Sequence, residues 1–358
     1  MDNESNNIIT QVLKRYEIDE QFQPFGNGHI NDTYVVGDYV VQRLNTNVFP
    51  NYKELMRNVE LVTAHLKEKI KSAGGDPERE TLTIIHTIDG CPYVETSEGV
   101  FRVYKLIQGA KSYDSVSPSR FYEAGYGFGK FQALLSDFPA NELFEVIPDF
   151  HNTRSRFNQF LSSLKKDTAG RKKYVSKEID FILSRENYVD VITSNIKEKK
   201  IPVRVTHNDT KLNNVMLDDI SGKAVCVIDL DTVMPGSLLY DYGDAIRYGA
   251  STAAEDETDL SKVNFDLALF KSFTEGFIQG LNGLYTENEI KLFPFSAKLL
   301  TFECGMRFLT DYLNGDKYFK ISRAEHNLDR ARTQFKLVSE MEKSEDKMNQ
   351  IVQDIVKQ

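Results

Sequence analysis

Between Val205 and Gly236 the chain reads VTHNDTKLNNVMLDDISGKAVCVIDLDTVMPG, gathering His207, Asp209, Asn214, Asp229 and Asp231 around two short Val/Ile-rich runs. Acceptor-rich clusters are ordinary in turns, so any chemistry has to come from the spacing. NNVMLDD and KAVCVID, joined by ISG, pattern as an antiparallel hairpin turning near Ile220 and Ser221. Residues whose numbers sum to about 442 then face one another, which sets Asn214 opposite Ile228 and beside Asp229. An amide carbonyl and a carboxylate brought together make a hard-oxygen pair, suited to Mg²⁺ and poor for zinc. Asp209 lies just upstream in a segment without helix or strand period, so its carboxylate sits on a loop entering the same space.

This order of parts is the layout of kinase-type phosphoryl transfer. One Asp takes the proton of an attacking hydroxyl, while a loop Asn and a second Asp hold metal ions that bridge nucleotide phosphates. Cations are needed there because the transferring group and the carboxylates otherwise repel one another. The competing reading of the same residues is a set of loop caps and Asx turns.

The flanking sequence supplies a scaffold of the right kind. Residues 22 to 105 pattern mostly as strands: TYVVGDYVVQRL has a two-residue turn at Gly37-Asp38, and TLTIIHT, CPYVET and VFRVYKLI follow one helix, NYKELMRNVELVTAHLKEKI, whose apolar residues recur at Leu55, Val59, Val62 and Leu66. A short helix from Ile8 to Tyr16 precedes them. From Pro118 onward the period is helical, in SRFYEAGYGFGKFQALLSDF, RFNQFLSSLKKD, SKEIDFILSRENYVDVITSNI, NFDLALFKSFTEGFIQGL, FPFSAKLLTFECGMRFLTDYL and a closing helix from about Asn327 to Lys357. The fold class expected is α+β and bilobal, with a small β-rich lobe over 1–106, a larger helical lobe over 107–358, and a ligand cleft between them.

Composition narrows the partners. A formal net charge of −9 argues against a nucleic-acid backbone as ligand. Cys91, Cys226 and Cys304 fall in no zinc or disulfide spacing, no run of apolar residues is long enough for a membrane span, and MDNESNNIIT lacks the features of an export signal. A cytoplasmic protein, favoured as a monomer, is expected.

The motifs THNDTKLNNVML and VCVIDLDTVMPGSLLYDYGD resemble those of the aminoglycoside phosphotransferase and choline kinase superfamily of small-molecule kinases. GHINDTY, LMRNVELVT, YGAST and LTFECGMRFLTDYL extend the likeness along almost the whole chain, toward members that phosphorylate the anomeric hydroxyl of N-acetylhexosamines. The resemblance implies a protein-kinase-like fold, ATP as donor, Mg²⁺ as cofactor and a sugar as acceptor. It makes Asp209 the catalytic base, Asn214 and Asp229 the metal ligands, and Asp241 a brace of the catalytic loop through backbone N–H groups. His207 is expected to brace the same loop, and Asp231 either to touch the sugar or to cap its turn.

On the nucleotide side, Gly26 and Gly28 fall where the resemblance places a turn over the phosphates, a position a plain hairpin turn would share. Gln42 stands where the superfamily carries a basic residue on the third strand. An amide cannot neutralise phosphate, so either Arg43 substitutes or the metals bear more of the charge, and Glu60 loses its expected partner. Backbone groups of Tyr104, Lys105 and Leu106 are expected to read the base. On the acceptor side, Glu303, Arg307 and Asp311 form a polar stripe along one helix, and an ion ladder is one reading of it. The resemblance favours Arg307, Glu303, Tyr318 and His29 as lining the sugar pocket. Two further readings remain: a kinase for another small alcohol such as homoserine, choline or an aminoglycoside, and a silent nucleotide-binding module.

Overall fold

The computed structural model describes residues 3–19, 21–24 and 31–357. Helix α1 (Asn3–Lys14) leads to strands β1 (Phe22–Pro24), β2 (Asp32–Val36) and β3 (Tyr39–Leu44). After helix α2 (Tyr52–Ser72) and the single turn α3 (Pro77–Glu80) come β4 (Ile84–Ile85), β5 (Val94–Thr96) and β6 (Gly99–Lys105). Among the described residues they form one antiparallel sheet in the order β1-β2-β3-β6-β4, with β5 also on β6. The β2–β3 turn is the expected Gly37-Asp38, with Gly37 at φ 54°. TLTIIHT is less of a strand than its pattern suggests. Asp76 and Pro77 start a helical turn immediately before it, and only Ile84 and Ile85 join the ladder.

Alternation along the strands divides this sheet between two cores. Val41, Phe101 and Val103 pack under α1 with Ile9, Val12 and Leu13, whereas Leu44, Val100 and Tyr104 join α2 in the main core. Gln42 and Arg102, directly paired across β3 and β6, therefore lie on the α2 side, and Arg43 lies on the α1 side.

The chain leaves the sheet after Lys105. β7 (Ala110–Lys111) is followed by α4 (Pro118–Leu134), α5 (Thr153–Lys166), α6 (Ser176–Leu183) and α7 (Val191–Lys197). Strands β8 (Arg204–Thr206), β9 (Val215–Asp218), β10 (Ala224–Val227) and β11 (Met234–Gly236) come next. Helices α8 (Leu238–Gly249), α9 (Leu267–Leu281), α10 (Glu287–Asn314), α11 (His326–Lys343) and α12 (Glu345–Val356) complete the chain. The α+β architecture follows the sequence, but two long helical runs are split. The run from Ser176 to Ile196 breaks into α6 and α7, where Arg185 grips Glu342 of α11 at 2.7 and 2.8 Å, and the closing helix breaks at Ser344. The β8–β11 pair has three residues on each strand, too few to show a period in the sequence. No described helix is long and apolar enough to cross a membrane.

Helix α4 is the platform on which the hairpin and the loop before it rest, and it is pinned to α9 backbone to backbone. A Cβ on Gly125 would stand 2.3 Å from the Phe273 carbonyl oxygen, and one on Gly276 would stand 2.0 Å from that of Tyr122. Neither neighbour is a side chain that can turn aside. Gly276→Ala is therefore expected to cost about 1–3 kcal/mol through forced separation of the two helices. Urea unfolding measures it, and an unchanged midpoint would show that α4 and α9 tolerate the wider spacing.

Candidate active site

The loop between β8 and β9 is held almost entirely by its own backbone. Asp241, buried in the first turn of α8, accepts from the N–H of His207 at 3.0 Å, the N–H of Asn208 at 2.7 Å and the Gln132 amide of α4 at 2.6 Å. Burial pushes its carboxyl up, and His207 and these donors pull the other way. Asp244, one turn on, accepts from Thr210 N–H at 3.1 Å and pairs with the buried Arg247 at 2.8 Å. The Nδ1 of His207 accepts from the N–H of Asp209 at 3.2 Å, so the ring proton is on Nε2, which donates to the Ile228 carbonyl at 2.9 Å. Phe128 and Phe131 of α4 meet the same ring edge-on. His207 thus ties the loop to the far strand of the hairpin, and both of its nitrogens are occupied. Asn208 takes the left-handed conformation at φ 65° and spends its side-chain amide on the carbonyls of Thr206 and Thr232.

With its backbone fixed, the loop presents Asp209 partly exposed. Lys211 Nζ stands 2.7 Å from one carboxylate oxygen, and the Asn214 amide nitrogen donates to the Asp209 carbonyl at 2.8 Å and reaches its other carboxylate oxygen at 3.3 Å. Asn214 has thereby committed its nitrogen and keeps its carbonyl oxygen. The β9–β10 register is the expected one next to the loop, with Val227 opposite Val215 and the Ile228 N–H donating to the main-chain carbonyl of Asn214 at 2.9 Å; a bulge between Ala224 and Cys226 absorbs a one-residue shift nearer the turn. Asp229 does not close the strand. It lies two residues beyond β10 in a left-handed conformation, φ 61° and ψ 60°, and a 3₁₀ turn over Leu230–Thr232 follows. Burial, then the charges of Asp231 and Asp209, push the Asp229 carboxyl up to about 7 against the pull of Arg102 and Lys211.

This donor set fits a hard divalent cation. It offers one amide oxygen and one carboxylate that is costly to leave charged without a counter-charge. Among the described residues no three His, Cys, Asp or Glu side chains converge to hold a metal alone. A cation at Asn214 and Asp229 would draw its remaining ligands from phosphate oxygens and water.

Because the strand stops short, Asp231 does not share a face with Asp229. It is buried, with one oxygen 2.5 Å from Arg102 Nη1 and the other accepting from Asn31 at 2.7 Å, so neither oxygen faces an acceptor. Arg43 does not substitute for a basic residue at position 42, since strand alternation sends it to the α1 side, 3.8 Å from Asp32. The cation that does reach Gln42 is Arg102, whose Nε and Nη2 donate to its carbonyl oxygen at 3.1 and 2.8 Å. Glu60 faces outward and contacts His86 at 2.7 Å. The N–H groups of Lys105 and Leu106 are spent on the carbonyls of Thr83 and Asp38, at 2.9 and 2.7 Å, and Tyr104 belongs to the ladder. Gly26, Gly28 and His29 lie outside the described residues.

The polar stripe of α10 is not an ion ladder. Glu303 is buried and accepts from His151 at 2.8 Å and Thr153 at 2.6 Å, so it supports the site from beneath. Asp311 collects the N–H groups of Lys317, Tyr318 and Phe319, each at 2.9 Å. Arg307, between them, has no ion pair among the described residues and lies over the rings of Phe150, Tyr318 and Phe319 at 5.2, 5.9 and 5.6 Å. Tyr318 is 65% exposed. His151, which carried no signal in the sequence, spans from Glu303 to the Asn208 carbonyl at 3.5 Å and so joins α10 to the loop. Lys211 was in plain view two residues after Asp209, and Arg102 was discoverable from its register with Gln42.

A rigid loop carboxylate flanked by a lysine, an Asn and an Asp at the open end of a hairpin, under a β-sheet, is the arrangement of a phosphotransferase with the protein-kinase-like fold. The sequence pattern of the phosphotransferase enzyme family that includes the aminoglycoside phosphotransferases matches residues 21–271, and the chain belongs to that family. Among solved structures it is similar to an aminoglycoside phosphotransferase from Alicyclobacillus acidocaldarius, at 12% identity and TM-score 0.58 over 98% of this chain and 96% of that one. It is also similar to a microcompartment-associated aminopropanol kinase, at 13% identity and TM-score 0.60 over 96% and 98%. A choline/ethanolamine kinase family protein from Mesorhizobium loti matches at 15% identity and TM-score 0.59 over 98% of both chains. At these identities the likeness is one of fold.

Replacing Asp241 by Asn sets an NH₂ group against one of the two loop N–H donors. The loss of a charge-assisted hydrogen bond is expected to cost about 1.5–3 kcal/mol of stability and to lower turnover by more than tenfold through displacement of Asp209. Thermal unfolding and steady-state kinetics measure the two effects, and full activity in the folded variant would separate the brace from the chemistry.

Proposed function

We propose that the protein is an ATP-dependent kinase of a small hydroxyl compound, and that its acceptor is the anomeric hydroxyl of an N-acetylhexosamine, which would make it an N-acetylhexosamine 1-kinase. The observation carrying the phosphotransfer reading is the partly exposed Asp209 carboxylate, held on a braced loop beside Lys211 and Asn214. Asp209 takes the proton of the acceptor hydroxyl as its oxygen bonds to the γ-phosphorus and the bond to the ADP oxygen breaks. Lys211 orients Asp209 and places a positive charge next to the incoming phosphoryl group. Its ammonium is held charged: burial disfavours the charge, and the carboxylates of Asp209 and Asp244 together outweigh it. Asn214 and Asp229 would hold Mg²⁺, which supplies charge neutralisation of the nucleotide phosphates.

For the acceptor, the support is Arg307, whose donors no carboxylate among the described residues claims within salt-bridge range, framed by Phe150, Phe319 and the exposed Tyr318. A guanidinium suits sugar hydroxyls and an acetamido carbonyl, and an aromatic face suits the apolar side of a pyranose. Similar structures include a spectinomycin phosphotransferase with ADP and spectinomycin, and kinases described as acting on aminopropanol or as belonging to the choline/ethanolamine kinase family. Against an amine acceptor stands a second guanidinium. Arg156 is held below its usual range by burial and by Arg307, so the neighbourhood already has unfavourable positive charge.

The test is a phosphoryl-transfer screen over free N-acetylhexosamines, other sugars, choline, homoserine and aminoglycosides, with NMR of the product's anomeric carbon. Transfer to an N-acetylhexosamine at O1 is the expected outcome, and transfer only to an amino alcohol removes the sugar reading. In the same assay Asp209→Asn should lower kcat by three orders of magnitude or more while ATP binding stays within a fewfold.

A further inference from the structure

The cation next to Gln42 is Arg102 of the neighbouring strand. β2, β3 and β6 place Thr33, Gln42 and Arg102 in one row across the sheet, and the Arg102 side chain is 1% exposed. Its guanidinium reaches Gln42 with two nitrogens and Asp231 with the third, and lies 5.0 Å from the centre of the Tyr104 ring. The Tyr104 hydroxyl is buried and has no hydrogen-bond partner among the described residues, so the floor next to Arg102 still has a donor to offer. Asp231 belongs to the turn that begins at Asp229, and the same turn is gripped twice more from the sheet side. Asn31 donates to Asp231, and Asn58 of α2 donates to the Val233 carbonyl at 3.0 Å.

We infer that Arg102 is the positioning cation of the nucleotide site: oriented by Gln42, it fixes the turn carrying Asp229 to the N-terminal sheet and supplies the positive charge that residue 42 lacks. The physical case has two parts. A guanidinium buried with a single carboxylate is stable only if its remaining donors are satisfied, and the neutral carbonyl of Gln42 satisfies two of them. A lysine at 42 would set a like charge against Arg102 in the same dry space, so the amide at 42 and the arginine at 102 are one arrangement. The proposal rests on the nucleotide-binding reading above and is independent of which hydroxyl compound is the acceptor.

The test is binding of Mg·ADP by calorimetry without acceptor, followed by steady-state kinetics. If the unaltered protein binds no Mg·ADP, the kinase reading fails, and with it the role inferred here. If it binds, Arg102→Gln is expected to weaken Mg·ADP affinity at least tenfold and to lower kcat/KM for ATP, with the acceptor KM within twofold. The double variant Gln42→Lys/Arg102→Gln, which moves the cation one strand across, should recover part of that loss, as a purely structural role would not allow. Affinity within twofold of the unaltered protein in Arg102→Gln, or a loss shared equally by ATP and acceptor that the second substitution does not recover, overturns the proposal. Should Arg102→Gln fail to fold, Gln42→Met leaves the arginine but removes its orienting carbonyl. It should weaken Mg·ADP binding severalfold, and unchanged binding in that variant likewise overturns the proposal.

Discussion

Three carboxylates, the buried one of Asp231 and the less buried ones of Asp229 and Asp209, are held within electrostatic reach of one another, and much of the surrounding architecture keeps them there. Left alone, such a group would take up protons or swing apart. Lys211 answers Asp209 and Arg102 answers Asp231. Asp229 has no partner of its own within salt-bridge range among the described residues, and its carboxyl rises accordingly. The unbalanced member of the set is the one a divalent cation would complete.

The remaining scaffold converts that electrostatic problem into a rigid one. Asp241 holds two consecutive N–H groups, His207 stitches the loop to the hairpin, and α4 supports both through Gln132, Phe128 and Phe131. None of these contacts uses the Asp209 carboxylate. The glycine contact of α4 with α9 extends the same rigidity outward, because main chain packed on main chain has no rotamers through which to relax.

What could be read from the sequence follows from the range over which each signal acts. The Asp209, Asn214 and Asp229 constellation was readable because a short hairpin converts spacing directly into proximity, and β2 and β3 were readable from alternation about Gly37-Asp38. The fate of Asp231 was not. Its side chain is decided by Arg102, over a hundred residues earlier, and by a 3₁₀ turn too short to show a period in the sequence. The same holds for Glu303, whose partner His151 comes from another segment, and for Arg43, whose face is set by which side of the sheet α1 covers. Lys105 and Leu106 looked available until the ladder and the β2–β3 turn claimed their N–H groups.

Asp311 anchors the segment carrying Tyr318 purely through main-chain N–H groups, three in a row. An anchor that reads no side chain is indifferent to what those side chains are. The exposed positions 317 and 318 can therefore be rewritten by mutation while the segment keeps its place, with Phe319 still packed on Phe308. A fold built this way separates the part of the molecule that must not drift from a part whose exposed side chains can change at little cost in stability.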